Sequence, residues 1–169
     1  MNEDSKTLIL GGSFTGPIDD RYFEDYVPFG VHEFGEVLVT EQEIIELAKR
    51  YDPQDFHTDS VKAAQSRFGG LIASGWLTCA LMMRMYADNY LTKNASLSSP
   101  GLDEVRWLAP VRPGDVLRAR VTVLEARRSS SKPDRGIVRS KIEVLNHHRE
   151  VVMTMVAMNL VACRSAPVT

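Results

Sequence analysis

Long apolar runs are missing from this chain. The longest, around Trp76 to Met83, is interrupted by Arg84 and falls far short of the roughly 20 residues a membrane span needs. No spanning helix is therefore expected. Cysteine is scarce as well. Cys79 and Cys163 each lie inside an apolar segment, which argues against a disulfide framework and reads as two small core residues of a reduced, cytoplasmic chain. Charge of either sign is not in excess: a net charge of -2 and a pI near 6.1 provide no basic field to recruit nucleic acid. The first residues are acidic and run into Gly11-Gly12-Ser13, without the basic start, apolar stretch and cleavage site of a secretory leader.

What is present fits one domain with a real core: 169 residues, 44% of them apolar and 25% charged. The expected domain spans 21–164, after a loosely held arm at 1–20 and before a short tail at 165–169. Tyr22 to Val39 is mixed in pattern, broken by Gly30 and Gly35, and ends as a short strand at Val37-Leu38-Val39. Thr40 with Glu43 fits a capping box. Behind it, Ile44, Leu47, Ala48 and Tyr51 share a helical face until Pro53 forbids extension. A second short helix is expected from Asp59 through Ser66, ended by Gly69-Gly70. Gly75 to about Tyr90 is apolar nearly all round, as a buried helix would be.

After Pro100-Gly101 the period changes to two. Leu117, Ala119, Val121 and Val123 alternate with polar residues, as do Val138, Ile142 and Val144, and Val151 to Val161 reads as a central strand. Pro113-Gly114 supplies a type II turn, Ser129 to Arg135 a long polar hairpin loop, and Asn146 to Arg149 a tighter one.

The most informative stretch is Asp52-Pro53-Gln54-Asp55-Phe56-His57. It sets a carboxylate and an imidazole five residues apart, a pairing that can hold and activate a water near neutral pH. The same spacing also fits a plain helix stop. Taken with Gly69-Gly70-Leu71-Ile72-Ala73-Ser74-Gly75-Trp76 and Glu104-Val105-Arg106-Trp107-Leu108-Ala109-Pro110-Val111-Arg112-Pro113-Gly114-Asp115, it resembles the MaoC-like family of acyl-CoA hydratases and dehydratases. The family motif reads Asp-x-Asn-Pro-x-His. Asp52 and His57 match its ends, while Gln54 replaces the usual Asn and Asp55 the Pro.

The resemblance implies an α+β hot-dog fold, a curved antiparallel sheet wrapped around a buried central helix. It implies hydration of a trans-2-enoyl-CoA, (R)-specific, or the reverse dehydration of a 3-hydroxyacyl-CoA. The catalytic set would be Asp52, His57 and Gly75, with the Gly75 amide facing the enolate oxygen; Gln54, Ser74 and Trp76 would border the substrate. No cofactor beyond the substrate's own coenzyme A thioester and no metal is expected, although Asp52, His57 and Asp59 are conceivable ligands. Ser74, which replaces a His common at this place, could cap the helix or touch the thioester. Met82, Met83 and Met85 suit core packing or an acyl tunnel. Arg112, Lys132 and Arg135 are loop cations, either solvated or facing coenzyme A phosphates. His147 and His148 fall in a hairpin loop, and His32 is structural or exposed.

A homodimer is expected, because a curved single sheet leaves strand edges and an apolar face for a second copy. Two other functions compete. A hot-dog thioesterase would release free thiol, and a non-catalytic acyl-CoA-binding or partner subunit would bind without turnover.

Overall fold

The computed structural model describes residues 14–165. In chain order its elements are β1 (Val31–Leu38), α1 (Glu41–Tyr51), α2 (Asp55–Thr58), α3 (Ser60–Gln65), α4 (Gly75–Asn89), β2 (Ser96–Trp107), β3 (Val116–Arg128), β4 (Arg135–Leu145) and β5 (Val151–Ala162). Alternating residues become strand wherever one face can be buried. In β3, Leu117, Ala119, Val121 and Val123 are fully buried, and β4 and β5 contribute Val138, Ile142, Val144, Met153 and Met155 to the same core. Their polar neighbours point to the other face, where Arg120 bridges to Glu33 of β1. The strands form one antiparallel sheet in the order β1-β3-β4-β5-β2, and α4 packs on its inner face through Leu77, Leu81, Met82, Met85 and Tyr86. This is the α+β hot-dog architecture, a sheet wrapped around a helix.

The Arg112 to Asp115 turn has the expected form. The Asp115 amide donates to the Arg112 carbonyl at 3.1 Å and Gly114 takes φ +91°, the positive value that position of a type II turn demands.

Three expectations need correction. The strand expected only at Val37-Leu38-Val39 is the eight-residue β1, running from Val31 to Leu38. Gly35 does not break it but makes a bulge at φ +80°, where the register shifts between Phe34 and Val37 and Met85 of α4 comes close. Regular alternation was expected only beyond Pro100-Gly101, yet that dipeptide lies inside β2. A proline is tolerated there because β2 is an edge strand, paired only with β5 and bulged three times along its length. Lastly, α4 is not buried all round. Trp76, Ala80 and Met83 form an exposed stripe on the side away from the sheet core.

Of the arm expected at 1–20, residues 1–13 lie outside the described part, as do 166–169 of the tail. Phe14 stacks on His32 with ring centroids 4.2 Å apart, and Ile18–Asp20 forms a turn of 3-10 helix.

Candidate active site

Helix α1 starts where the Thr40 hydroxyl accepts the Glu43 amide at 3.2 Å. It ends at Asp52, whose own amide still donates to the Ala48 carbonyl at 2.9 Å while its backbone has left helical geometry. Pro53 enforces that exit. The single turn α2, which the sequence did not reveal, then carries His57 inward until only 5% of it is exposed. The next helix begins at Ser60, its amides at Val61 and Lys62 held by the Asp59 carboxylate.

Asp52 and His57 meet. His57 Nε2 lies 3.4 Å from Asp52 Oδ2, and His57 Nδ1 is 2.7 Å from the Ile72 carbonyl oxygen. A carbonyl can only accept, so Nδ1 carries the proton and Nε2 of a neutral ring presents its lone pair toward the carboxylate. Each Asp52 oxygen already has a donor: Gln54 Nε2 reaches Oδ1 at 2.7 Å and the Ser74 hydroxyl reaches Oδ2 at 2.6 Å. The Ser74 bond above all holds the Asp52 carboxyl below the usual carboxylate range, with desolvation opposing, Gln54 adding to it and His57 adding a little more whenever its ring is charged.

Ser74 is only 1% exposed and also caps α4, accepting the Trp76 amide at 3.3 Å. One hydroxyl thus fixes both the start of the helix and the orientation of the carboxylate. At that helix start the Gly75 amide donates to no acceptor among the described residues, leaving a free N–H at the positive end of the helix dipole.

Asp52, His57, Ser74, Gly75 and Trp76 all border one cavity of about 390 Å³, closed on its other sides by Phe56, Phe68 and the Trp107 to Val111 segment. Gln54 stands outside it, behind Asp52. Several bordering residues had no assigned role from sequence, Trp107 and Thr78 among them. The Trp107 indole N–H donates to the Gly75 carbonyl at 2.9 Å and its ring lies where a Cβ on residue 75 would have to be. Thr78, 2% exposed, also borders the cavity, one helical turn past Ser74. Trp107 was inside a quoted motif, but nothing local to it announces a contact with Gly75.

The remaining candidates sit elsewhere. Arg112 donates to the Phe68 carbonyl at 2.7 Å and so ties down the loop before α4, and Arg135 pairs with Asp134 in the β3–β4 hairpin. His147 is not simply solvated, since its Nδ1 is 3.3 Å from Oδ1 of the buried Asp115. His32 is buried among aromatic rings, and that burial lowers its basicity. Among the described residues no three His, Cys, Asp or Glu side chains gather as a metal set.

The family model for the MaoC-like domain matches residues 31–144. The chain belongs to that family. Among MaoC-like structures, the dehydratase from Rhodospirillum rubrum is 36% identical and superposes with a TM-score of 0.80 over 86% of this chain and 99% of that one. The 3-hydroxyacyl-thioester dehydratase Z of Mycobacterium tuberculosis is 32% identical over 110 residues, covering 64% of this chain and 73% of its own length. An uncharacterized Bacillus subtilis protein is 31% identical over 87 residues, or 52% of this chain, and the match spans 62% of that protein. Two of these three relatives carry the name dehydratase, and the matched segment of this chain contains Asp52, His57 and Gly75.

Proposed function

We infer that the protein hydrates a trans-2-enoyl-CoA to the 3-hydroxyacyl-CoA, or runs the reverse dehydration, with water held between Asp52 and His57. The observation that carries this reading is the pair of facing acceptors. Asp52 Oδ2 and His57 Nε2 are 3.4 Å apart, and with the imidazole in its neutral form both are acceptors, to each of which a water can supply one hydrogen.

In the forward direction the water oxygen bonds the β-carbon while the pair takes its proton, and a proton from the pair then reaches the α-carbon. Negative charge passes transiently onto the thioester oxygen. The free Gly75 N–H at the α4 terminus suits that oxygen, an arrangement that stabilises charge only as it develops. No cofactor enters the scheme, because the thioester itself is the electron sink.

A homodimer completes the proposal. The edge strand β2 exposes Leu97, Leu102 and Trp107, and the α4 stripe exposes Trp76 and Met83. A second copy would roof over both and leave the space between α4 and β2 open beneath it. The free thiols of Cys79 and Cys163 suit a reducing cytoplasm. No helix among the described residues is long and apolar enough to cross a membrane.

The deciding assay follows loss of enoyl absorbance with crotonyl-CoA and with longer and branched enoyl-CoAs, while free thiol is measured in parallel. Hydration without thiol release is the expected outcome. Thiol release without hydration would make the protein a thioesterase, and binding with neither would make it a non-catalytic acyl-CoA subunit.

A further inference from the structure

A second cavity, of about 380 Å³, lies along the exposed stripe of α4. Trp76 borders both cavities, so the two lie on either side of its ring. From there its wall follows Cys79, Met83 and Tyr86 down the helix, with Leu102 and Val105 of β2 opposite. Gly75 and Tyr86 are eleven positions apart, which at helical rise is about 16 Å. The lining is mostly apolar, its polar side chains being Ser96, Ser98 and Ser99 of β2 and Asn159 of β5, which is 6% exposed.

Asn159 is tied to a buried tyrosine. The Tyr86 hydroxyl donates to Asn159 Oδ1 at 2.9 Å. That hydroxyl has one hydrogen, and burial pushes the Tyr86 pKa up, which keeps the hydrogen in place. The bond occupies the amide oxygen of Asn159 and leaves its Nδ2, which donates to no other described residue, at the cavity wall. A donor without a protein partner at a cavity wall is open to an oxygen that enters the cavity.

We propose that this second cavity receives the acyl tail of the substrate, and that Asn159 selects tails carrying a hydroxyl or carbonyl oxygen at the depth of Tyr86 over plain alkyl tails of equal length. The proposal rests on the acyl-CoA reading of the first cavity. A thioester placed at Gly75 would send its tail across Trp76, along the side of α4 that carries Cys79 and Met83. Apolar lining holds the methylenes, and one amide N–H recognises the oxygen.

The test measures binding, so that it does not depend on turnover. Saturated acyl-CoAs from octanoyl to tetradecanoyl, and the same set with a terminal hydroxyl, are titrated calorimetrically against the native protein, Asn159→Leu and Asn159→Thr. The native protein is expected to bind one or two hydroxylated chain lengths about tenfold more tightly than their plain counterparts, the scale of one buried neutral hydrogen bond. Both variants are expected to lose that ratio while binding butyryl-CoA as before. The ratio is taken within each protein, so lowered stability does not imitate the result. Asn159→Thr keeps a hydroxyl acceptor near Tyr86 on a strand position that favours β-branched residues, which guards against a variant that does not fold.

Equal affinity for plain and hydroxylated tails in the native protein, or a preference unchanged by both substitutions, would overturn the proposal. So would affinity independent of tail length, the result expected if a second copy fills the cavity. A tail preference in a protein that hydrates no enoyl-CoA would retain this inference and discard the reaction.

Discussion

The Ser74 hydroxyl and the Asp52 carboxylate are joined by a 2.6 Å hydrogen bond across twenty-two positions of sequence, the shortest of the bonds that orient the proposed water site. Its effect on acidity has a sign that can be tested. The folded carboxyl lies below its ordinary value, so the bond stabilises the fold fully above the unfolded carboxylate range, and that contribution disappears as pH falls through the lowered folded value. Ser74→Ala is expected to destabilise the protein clearly at pH 7 and much less near pH 2.5. Urea unfolding at the two pH values measures this, and an equal loss at both would assign the effect to packing and helix capping alone.

Asp52 and His57 are expected to act as a unit. Asp52→Asn and His57→Gln should each lower hydration turnover by about 10²-fold or more, the range of general acid/base contributions. The double variant should lose little beyond the worse single one. Steady-state kinetics on crotonyl-CoA, with circular dichroism to verify folding, decides the matter. Full activity in either single variant would remove the pair from the mechanism.

The two departures from the family motif have different weights. Gln54 reaches Asp52 Oδ1 at 2.7 Å despite its extra methylene, so Gln54→Leu should lower turnover several-fold, whereas Gln54→Asn should bring no gain. Higher activity in the Asn variant would show that the longer amide is a strained substitute.

Asp55 opens α2, directly after an extended Gln54 at φ -87°, ψ 140°. That is the first helical position, where proline is well suited, preceded by a residue in the conformation proline requires. The exposed pair between Asp55 and Lys62 contributes little. Asp55→Pro is therefore expected to leave turnover unchanged and to stabilise by about 0.5 kcal/mol through the unfolded chain. A drop in melting temperature would mean that the α2 turn needs the Asp55 amide.

Gly75 has no room for a side chain because the Trp107 ring occupies the place of its Cβ. Overpacking of this kind costs about 1–3 kcal/mol, and Gly75→Ala is expected to show a loss of that order with reduced turnover. Adding Trp107→Ala should recover part of the stability, since it removes the colliding ring. Strictly additive losses in thermal unfolding would place the strain elsewhere.

Much of this fold was legible because its signals are periodic. Leu117 to Val123 alternates cleanly, Thr40 and Pro53 bracket α1, and Pro113-Gly114 defines its turn. The misses share a cause, which is that tertiary context reverses a local signal. Pro100 reads as a break, yet an edge strand needs no amide there; Gly35 reads as a break, yet a bulge accommodates it beneath Met85. The exposed stripe of α4 could not be seen, because composition says a helix is apolar without saying which side the sheet leaves uncovered. In the site, the Asp52 and His57 pairing followed from spacing and resemblance. The Ile72 carbonyl that fixes the imidazole tautomer did not, since a backbone acceptor leaves no trace in residue identity, and Trp107 over Gly75 is a contact between segments thirty-two positions apart.

The segment between β1 and α4 is knitted together by single bonds, Ser74 to Asp52 and Ile72 to His57 and to the Phe56 carbonyl, and single bonds also join it to the Ala109–Asp115 stretch, Arg112 to the Phe68 carbonyl and the Ala73 amide to the Val111 carbonyl. The sheet, by contrast, is fastened along whole strands. Mild heating or dilute denaturant should therefore silence the protein while its β-structure is still intact, and amides of α1 and α2 should exchange with solvent well before those of β3 and β4. The lifetime of activity is set by the clasp, not by the sheet behind it.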